Sequence, residues 1–426
     1  MREMKDSGIE WIGQIPKGWE LRRAKTLFTQ RNSKGNGIEV LLSPTQKYGV
    51  VPQSQLEGVV QVKEDTDLQM FKTVHKGDFV ISLRSFQGGF EYSLYEGVCS
   101  PAYQVFYPTS PICDTYYRYL FKSQSFISKM NNLTVGIREG KNIQYVDFAN
   151  SQIPVPPLAE QEHIAAFLDA ECAEIDAVLE KTRASIEEYK KLKQAVITQA
   201  VTKGIRGNRP MKDSGIEWIG EIPAEWEIKR IKNICSLKTG STPSTGNAEW
   251  FNGDLLWFTP GDFNEKFVLL LSNRTLSRTA EKDGVATMIP ANSVLVVCIG
   301  GSAGKVGYTN YGCSCNQQIT ALCKSNIMPK LLMYDVNAGM PFLRNTTMFT
   351  TLPILNNQAI GGLVLPIPRK EEQLSIIEYL DEKCAGIDAL IAKKQQYLTE
   401  IENYKKSLIY EYVTGKKEVK TSVLAD

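Results

Sequence analysis

Two long segments of the chain carry apolar residues in alternating steps of four and three. Residues 158–203 contain no Pro or Gly, and residues 370–414 contain only Gly386. Both segments are rich in Ala, Leu, Glu, Lys and Gln, which favour helices. A mostly apolar stripe on a long helix is typical of a helix that packs against another helix. At 1.5 Å per residue, about 45 residues make a helix roughly 65–70 Å long, so the pattern predicts a paired helical rod.

The stripe residues are the candidates for the rod interface and for contacts with other protein subunits. They are Ile175, Leu179, Ile186, Tyr189 and Val196 in the first helix, and Ile387, Ile391, Leu398, Ile401 and Leu408 in the second. No other stretch of the chain shows this long helical periodicity.

The rest of the chain has short apolar runs bounded by Gly, Pro, Asn and Ser, which is typical of strands in a mixed α+β fold. The clearest runs are residues 78–83, 102–107 and 293–299. Residues 116–130 have the pattern of one amphipathic helix. Residues 331–343 have a weaker helical pattern, because Gly339 and Pro341 are expected to break it.

The sequence also repeats itself. A leading motif, MKDSGIEWIGQIPKGWE at residues 4–20, returns as MKDSGIEWIGEIPAEWE at residues 211–227, with 14 of 17 positions identical and an offset of 207. A trailing segment, residues 153–181, matches residues 365–393 at an offset of 212. The sequences between these motifs show no obvious similarity. Each half is therefore a fixed leading motif, a variable body and a fixed trailing segment.

This organisation predicts five segments along the chain. They are a first body (1–157), a first spacer helix (158–205), a second body (206–366), a second spacer helix (367–415) and a flexible tail (416–426). The four tryptophans of the leading motifs occupy equivalent positions in both copies. We expect them to pack each body against a spacer helix; they are Trp11, Trp19, Trp218 and Trp226.

Composition narrows the class of protein. The chain has 426 residues, and 49 Lys and Arg against 47 Asp and Glu give a net charge of +2. Each body carries +3, residues 158–205 carry −3 and residues 367–426 carry −1, so a surface that binds phosphates is expected on the bodies. Residues 294–299 form the longest strongly apolar run, far short of the roughly 20 residues of a membrane helix.

The termini and cysteines favour a cytoplasmic protein. The N-terminal residues lack the apolar core of a signal peptide. Nine cysteines, an odd number in a long chain, are typical of reduced thiols.

A search for catalytic motifs finds none. The segment GGSAGKV at residues 300–306 lacks the spacing of a phosphate-binding loop, so a tight Gly turn after a strand is expected. Cys313, Cys315 and Cys323 lack paired zinc-ligand spacing, and His75 and His163 lie in different segments. An Asn-Pro-Pro-aromatic motif of amino-methyltransferases is absent. The sequence predicts no catalytic site, no metal and no cofactor in this chain.

Two similar frames with dissimilar bodies suit a protein that reads two different DNA half-sites. Arg and Lys read guanine, Asn and Gln read adenine, and Ser, Thr and Tyr are adaptable. Any single polar loop residue is most often only solvated, but together these loops suggest contacts with DNA. The candidates are Lys47, Tyr48, Arg84, Ser85, Gln87, Arg138, Lys141 and Asn142 in the first body, and Lys238, Thr239, Ser241, Thr242, Ser302, Lys305, Asn316, Gln317, Gln318, Asn357 and Gln358 in the second.

The chain resembles the specificity subunits of type I restriction-modification systems over essentially its whole length. The resemblance rests on both leading motifs and on the trailing motifs IPVPPLAEQEHIAAFLD and LPIPRKEEQLSIIEYLD. The segments GDFVISLRSFQGGFEYS and TGSTPS…WFTPGDF of the bodies also carry it. Arg369 and Lys370 depart from the Pro-Leu pair that is usual in the family before Glu-Gln.

The resemblance implies an α+β protein with an internal pseudo-twofold repeat. Two target-recognition domains with twisted β-sheets would be separated by two long antiparallel helices that form a coiled-coil-like rod. Each domain would read one half of an asymmetric, interrupted site in double-stranded DNA. The implied partners are two modification subunits, which use S-adenosylmethionine to methylate adenine N6, and two restriction subunits, which use ATP and Mg²⁺.

Three alternatives stay open from the residues alone. The first is a coiled-coil scaffold protein without DNA specificity. The second is a stand-alone DNA enzyme, which the missing motifs disfavour. The third is an RNA reader, which is disfavoured because the tryptophans lie in the fixed frame instead of forming stacking pairs on strands.

Overall fold

The computed structural model describes residues 2–35, 40–56, 68–82, 89–133, 143–264, 266–346 and 354–420. The chain forms two compact units. The first unit contains Met1–Thr182 and Tyr397–Asp426, and the second contains Arg183–Gln396. Each unit therefore holds one body together with a part of each spacer helix.

The first unit is built from short antiparallel strands and three body helices. Its strands are β1 (Met4–Asp6), β2 (Gln14–Pro16), β3 (Glu20–Arg23), β4 (Phe28–Arg31), β5 (Leu42–Thr45), β6 (Gly49–Pro52), β7 (Lys72–Val74), β8 (Phe79–Ile81), β9 (Phe90–Tyr92), β10 (Gly97–Cys99), β11 (Gln104–Pro108) and β12 (Gln152–Val155). Its body helices are α1 (Asp114–Lys122), α2 (Gln124–Leu133) and α3 (Tyr145–Asn150). The largest sheet has the order β4-β11-β8-β9.

An aromatic core holds this sheet against its helices. Phe28, Phe79 and Phe106 from three strands meet Phe121 of α1 and Phe148 of α3, with ring centroids 4.6–6.1 Å apart in the contacting pairs. All five side chains are at most 1% exposed. Tilted and edge-on ring contacts of this kind add to the free energy of burial.

The body of the second unit repeats this plan and follows α4 (Leu158–Lys203), the first long helix. Its strands are β13 (Met211–Asp213), β14 (Glu221–Pro223), β15 (Glu227–Arg230), β16 (Ser236–Thr239), β17 (Phe251–Phe258), β18 (Arg274–Leu276), β19 (Ser293–Val297), β20 (Val306–Thr309), β21 (Ser314–Cys315), β22 (Ile319–Cys323) and β23 (Val364–Ile367). Its helices are α5 (Arg278–Lys282), α6 (Pro329–Thr346) and α7 (Asn357–Gly362), and the chain then enters α8 (Lys370–Val413).

The two units share one topology. The leading motif forms the hairpins β1–β2 and β13–β14, and the next strand pairs with the strand before the long helix, as β3–β12 and β15–β23. The sheet β16-β22-β19-β20 has the same order as the sheet of the first unit. Outside this shared part, the first unit has the two-stranded sheets β5-β6 and β10-β7, and the second has a sheet of order β18-β17-β21. The predicted α+β fold with an internal repeat is confirmed.

The long helices run antiparallel to each other inside each unit. In the first unit, Lys405 of α8 contacts both carboxylate oxygens of Asp176 of α4 at 2.7 Å. In the second unit, the equivalent Lys193 of α4 contacts both oxygens of Asp388 of α8 at 2.8 Å. Higher residue numbers on one helix therefore meet lower numbers on the other. This confirms the two paired helices predicted from the apolar stripe.

The stripe residues lie where the two helices meet. Ile175, Leu179 and Leu408 are buried, with Leu398 and Ile401 packed against the same cluster in the first unit. In the second unit the corresponding side chains are buried or half-buried; they are Ile186, Tyr189, Val196, Ile387 and Ile391. Their role in binding partner subunits stays a prediction.

The predicted helix at residues 331–343 is confirmed, but two details of the helix predictions in the bodies were wrong. Residues 116–130 form parts of two helices, because Ser123 has extended backbone angles and caps α1, with its hydroxyl donating to the Leu120 carbonyl at 2.7 Å. Conversely, α6 continues through Gly339 and Pro341. Gly339 allows Leu363 and Trp218 to approach closely, and this packing stabilises the helix despite its weak propensity.

The predicted strands are confirmed with shorter bounds. Residues 293–299 and 102–107 contain β19 and most of β11, and residues 78–83 contain β8, although residue 83 lies outside the described part of the chain. Among the described helices, none combines the length and the hydropathy that a membrane crossing requires.

Candidate nucleic-acid interface

Hydroxyl and amide groups converge at one end of the four-stranded sheet in the second unit. Thr239 ends β16 and pairs in register with Thr320 on β22. The Thr320 hydroxyl donates to Oδ1 of Asn357 at 2.7 Å, and Nδ2 of Asn357 donates to the Thr239 hydroxyl at 2.9 Å. Asn357 is the first residue of α7, so two strands and a helix start meet at this point.

The turn between β21 and β22 extends this group of residues. The Thr242 hydroxyl is hydrogen bonded to Oε1 of Gln317. Gly240 makes this approach possible, because a Cβ there would lie 2.2 Å from the Cys315 carbonyl oxygen. We define the second polar edge by its five residues: Thr239, Thr242, Gln317, Thr320 and Asn357.

Other candidates of the second body hold the loops around this edge. Asn316 is 8% exposed, and its side chain bonds both the backbone and the side chain of Gln318. The Ser241 hydroxyl donates to the Val285 carbonyl at 2.9 Å and accepts from the backbone N–H of Thr287 at 2.8 Å. These side chains shape the loops, because Asn316 is buried and Ser241 ties its loop to the backbone of residues 285–287.

The remaining candidates of the second body are scattered. Nζ of Lys238 lies 3.5 Å from the Met288 carbonyl, and Nζ of Lys305 lies 3.4 Å from the Phe263 carbonyl. Ser302 lies in the turn before β20, and Gln358 is exposed on α7. Lys238, Thr239, Asn357 and Gln358 therefore belong to a strand and a helix, although the sequence placed them in loops.

In the first body, two of the candidates are described. Lys47 and Tyr48 occupy the turn between β5 and β6, where Nζ of Lys47 lies 4.9 Å from the Tyr48 ring centre. Tyr48 is 60% exposed, so its ring is accessible. The other candidates lie outside the described residues; they are Arg84, Ser85, Gln87, Arg138, Lys141 and Asn142.

Sequence reasoning missed a polar edge in the first unit. Nε2 of Gln104 on β11 donates to Oε1 of Gln144 at 2.8 Å, and Oε1 of Gln104 accepts from Nε2 of Gln30 at 3.4 Å. Oε1 of Gln104 also accepts from the backbone N–H of Tyr145 at 2.7 Å. We define the first polar edge as Gln30, Gln104 and Gln144.

The two polar edges occupy the same place in the fold. Gln104 lies on the strand equivalent to that of Thr320, and Gln144 caps α3, the counterpart of α7. A signal existed in the sequence, since Gln144 lies two residues after the candidate Asn142. The amide of Asn or Gln can form two hydrogen bonds with one adenine, and the hydroxyl of Ser or Thr can bond several different bases.

Charged groups near the first sheet are already paired. Arg31 bonds both carboxylate oxygens of Asp78, at 2.7 and 3.0 Å, and its guanidinium lies 4.2 Å from the Tyr107 ring centre. Burial raises the pKa of Glu91 to about 7, although Lys122 contacts it at 2.6 Å. These side chains therefore stabilise the body, because each already has a partner there.

The structure also shows the surroundings of the Gly-rich segment at residues 300–306 and of the three neighbouring cysteines. Residues 300–305 lie in the turn between β19 and β20, so the predicted Gly turn after a strand is confirmed; φ is positive at Gly300 and Gly304. A strand follows this turn, where a phosphate-binding loop needs a helix. Cys313, Cys315 and Cys323 are buried, and burial raises the pKa of all three thiols.

The tryptophans were predicted correctly in part. Trp19 is 1% exposed and donates from Nε1 to Glu160 of α4 at 2.8 Å, and Trp226 donates to Glu372 of α8 at the same distance. The other two pack inside the bodies. Trp11 contacts Phe126 of α2, and Trp218 lies over Gly339 of α6. Only one tryptophan of each motif therefore contacts a spacer helix directly through its indole N–H.

Comparisons with known proteins agree with this architecture. The MjaVIII specificity subunit, a type I restriction enzyme subunit of Methanocaldococcus jannaschii, is 26% identical over 312 residues, which cover 66% of this chain and 66% of that subunit. The putative MjaX specificity subunit of the same organism is 25% identical over 443 residues and 96% of each chain. These names agree with the prediction of a non-catalytic specificity subunit.

A solved chain from work on "complex assembly and conformational transition of the type I R-M system" has the same fold, with a TM-score of 0.71. It is 16% identical and the match covers 95% of this chain and 99% of that chain. The sequence model of the type I restriction modification DNA specificity domain matches residues 16–188 and 223–402, which is most of the chain. The protein therefore belongs to the family that carries the type I restriction modification DNA specificity domain.

Proposed function

We propose that this chain reads an asymmetric, two-part DNA site as the specificity subunit of a type I restriction-modification complex. Each body reads one half-site, and modification subunits that methylate adenine N6 dock on the same chain. The chain contributes recognition, whereas S-adenosylmethionine, ATP and Mg²⁺ belong to the partner subunits. Membership of the specificity-domain family supports this proposal.

One observation carries the proposal of two different half-sites. The first polar edge consists of the side-chain amides of Gln30, Gln104 and Gln144. The second, at the same place in the fold, combines the exposed hydroxyls of Thr239 and Thr242 with the exposed amides of Gln317 and Asn357, and the Thr320 hydroxyl is buried beneath its bond to Asn357. Base edges are distinguished by the pattern of donors and acceptors that a protein offers them. Two equivalent sheets with different polar groups are therefore suited to two different base sequences.

Phosphate contacts would supply affinity, and contacts with base edges would supply sequence preference. Each body carries a net charge of +3, and the spacer segments are acidic overall, so the bodies are the parts suited to the DNA backbone. The paired helices would set the distance between half-sites. If both bodies meet one face of B-DNA, the half-sites lie about one helical turn, or ~34 Å, apart.

An exchange of bodies tests independent reading. Residues 21–152 are replaced by the body of another specificity subunit, and the complex is expressed with its modification subunits in a host without adenine methylation. Long-read sequencing then identifies methylated adenines. We expect one half of the recognised site to change and the other half to stay the same. A simultaneous change in both halves would contradict independent reading.

An insertion tests whether the helices act as a ruler. Four residues inserted near Ser185 add about 6 Å of helix rise, which corresponds to one or two base pairs of gap. The half-site sequences should remain those of the parent. A gap of unchanged length would refute the ruler.

If the purified complex shows no salt-sensitive DNA binding at all, the scaffold alternative is favoured.

A further inference from the structure

One loop of the second body reaches the spacer helices. The ring of Phe267 lies 4.5 Å from Nζ of Lys193 on α4. The same Nζ contacts both carboxylate oxygens of Asp388 on α8 at 2.8 Å. Phe267 therefore covers a charge pair that links the two helices, in a cation–π geometry.

Phe267 is held there in a conformation that bulky residues rarely adopt. Its φ is +57°, and the backbone N–H of Val268 donates to the Lys266 carbonyl at 2.6 Å across it. The loop is anchored to β20, because Tyr308 donates from its N–H to the Phe267 carbonyl at 2.7 Å. A strained residue persists only where surrounding contacts hold it, and such residues concentrate at functional positions.

A second contact fixes the direction of the ring. Phe267 meets Tyr334 of α6 edge-on, with centroids 6.1 Å apart. The Tyr334 hydroxyl donates to Asp381 of α8 at 2.8 Å. The ring thus lies between a residue of the body helix and the charge pair of the long helices, so it couples the two parts of the unit.

The first unit has the same charge pair without this cover. The Lys405 side chain is 25% exposed and Asp176 is 57% exposed, against 8% for Lys193 and 28% for Asp388. Within the described ranges, no aromatic ring lies over Lys405. The contact made by Phe267 is therefore a feature of the second body and not of the repeated frame.

We propose that Phe267 is a positioning residue, which locks the second body onto the spacer helices through Lys193 and thereby fixes the gap before the second half-site. The inference rests on the proposed reading of a two-part site. Phe267 itself contacts no base. It keeps the second polar edge at one angle to the helices, so that only one gap length is accepted.

Phe267→Asn tests this role, since Asn tolerates positive φ and removes only the ring. Phe267→Tyr is the matched control, because it keeps the ring. Each variant is expressed as the full chain with its modification subunits, and methylated adenines are mapped by long-read sequencing. We expect Phe267→Asn to recognise both wild-type half-sites, with methylation at gaps one base pair longer or shorter at least tenfold above the wild-type level.

A second pair of variants covers the case in which Phe267→Asn fails to fold. Lys193→Met removes the cation without touching the loop, and Lys405→Met makes the same change in the first unit. Lys193→Met should broaden the accepted gap, whereas Lys405→Met should leave it single. A single gap in both Phe267→Asn and Lys193→Met, with wild-type methylation at the native site, overturns the inference.

The wild-type complex separates this outcome from failure of the proposed function. If wild type methylates no two-part site, the proposed function itself is wrong. If wild type methylates a two-part site with one gap and all four variants do the same, only the role of Phe267 is wrong.

Discussion

The two units share a frame and differ in what the frame carries. In the first, the Trp19 indole donates to Glu160, which also contacts Arg2 at 2.6 Å. In the second, Trp226 and Arg209 make the same two contacts with Glu372, at the same distances.

The equivalence extends along the long helices. Gln161 at the start of α4 accepts from the backbone N–H of Cys113, and Gln373 of α8 accepts from that of Met328, both at 2.9 Å. About two helical turns further on, Asp169 accepts from the Tyr119 hydroxyl and Asp381 accepts from the Tyr334 hydroxyl. These contacts place each body helix on its spacer helix in the same register.

The bodies differ wherever these contacts are absent. The residue after the shared tyrosine is Leu120 in the first unit and Asp335 in the second, and both are fully buried. The helix breaks at Ser123 in the first unit and continues in the second. The comparison teaches that contacts with the long helices constrain the frame, whereas the sheet ends and body helices are free to diverge.

The largest expected effect tests the equivalence of the frames. Trp19→Ala and Trp226→Ala should each lower the free energy of unfolding of their own unit by about 3–5 kcal/mol, because both indoles are fully buried. Calorimetry with limited proteolysis shows which unit opens first. A loss in one variant that exceeds the other by more than about 2 kcal/mol would contradict equivalent frames.

A smaller effect should separate the two glutamates. The Glu372 side chain is 6% exposed and that of Glu160 is 26% exposed. Breaking the more buried pair costs more, since the arginine left behind is farther from water. We expect Glu372→Gln to destabilise by about 2–3 kcal/mol and Glu160→Gln by about 1 kcal/mol in urea unfolding. Equal losses would show that burial does not decide the strength of this contact.

The buried Asp335 should make the second unit sensitive to pH. Burial raises the pKa of Asp335 well above its usual value, and no hydrogen-bond partner for its carboxylate is found among the described residues. In the unfolded chain this carboxyl group ionises above about pH 4. Folding therefore becomes less favourable as pH rises through the interval between the unfolded and folded pKa values.

Asp335→Ala should consequently stabilise the second unit by about 1–3 kcal/mol at pH 7. The gain should shrink as the pH falls and vanish below about pH 4, where the carboxyl group of wild type is protonated in both states. Thermal unfolding across this range measures the effect, and Asp335→Asn is the control that cannot ionise but keeps a polar group. A gain that does not change with pH would mean that the carboxyl group is neutral or ionised alike in both states.

The smallest effect concerns base preference at the two polar edges. Asn357→Ala and Gln104→Ala should each reduce discrimination by about 1–2 kcal/mol, but at different half-sites. Each variant is the control for the other, because each should accept more bases at its own half-site and still discriminate bases at the opposite half-site. Quantitative methylation of a library of variant sites provides the measurement. Equal weakening on all sequences would indicate phosphate contacts instead.

Part of the candidate site was visible in the sequence. Thr239, Thr242, Gln317 and Asn357 come from three separated segments, and all four were predicted because their residue types can read bases. Gln104 was missed because it lies within the strand predicted at residues 102–107, where nothing marks it as a contact residue. Only the pairing of that strand with its neighbours places Gln104 beside Gln144. Residue type can be read locally, but convergence of distant segments depends on strand register.

The amino-acid sequence by itself determined the repeat, the two long helices and their pairing. The reason is that an apolar stripe over 40 residues has one favourable outcome in water, which is burial against another helix. Only the tertiary structure decided the rest. The continuity of α6 through Pro341, the two polar edges and the position of Phe267 over Lys193 all depend on contacts between residues far apart in the chain, and no local pattern encodes them.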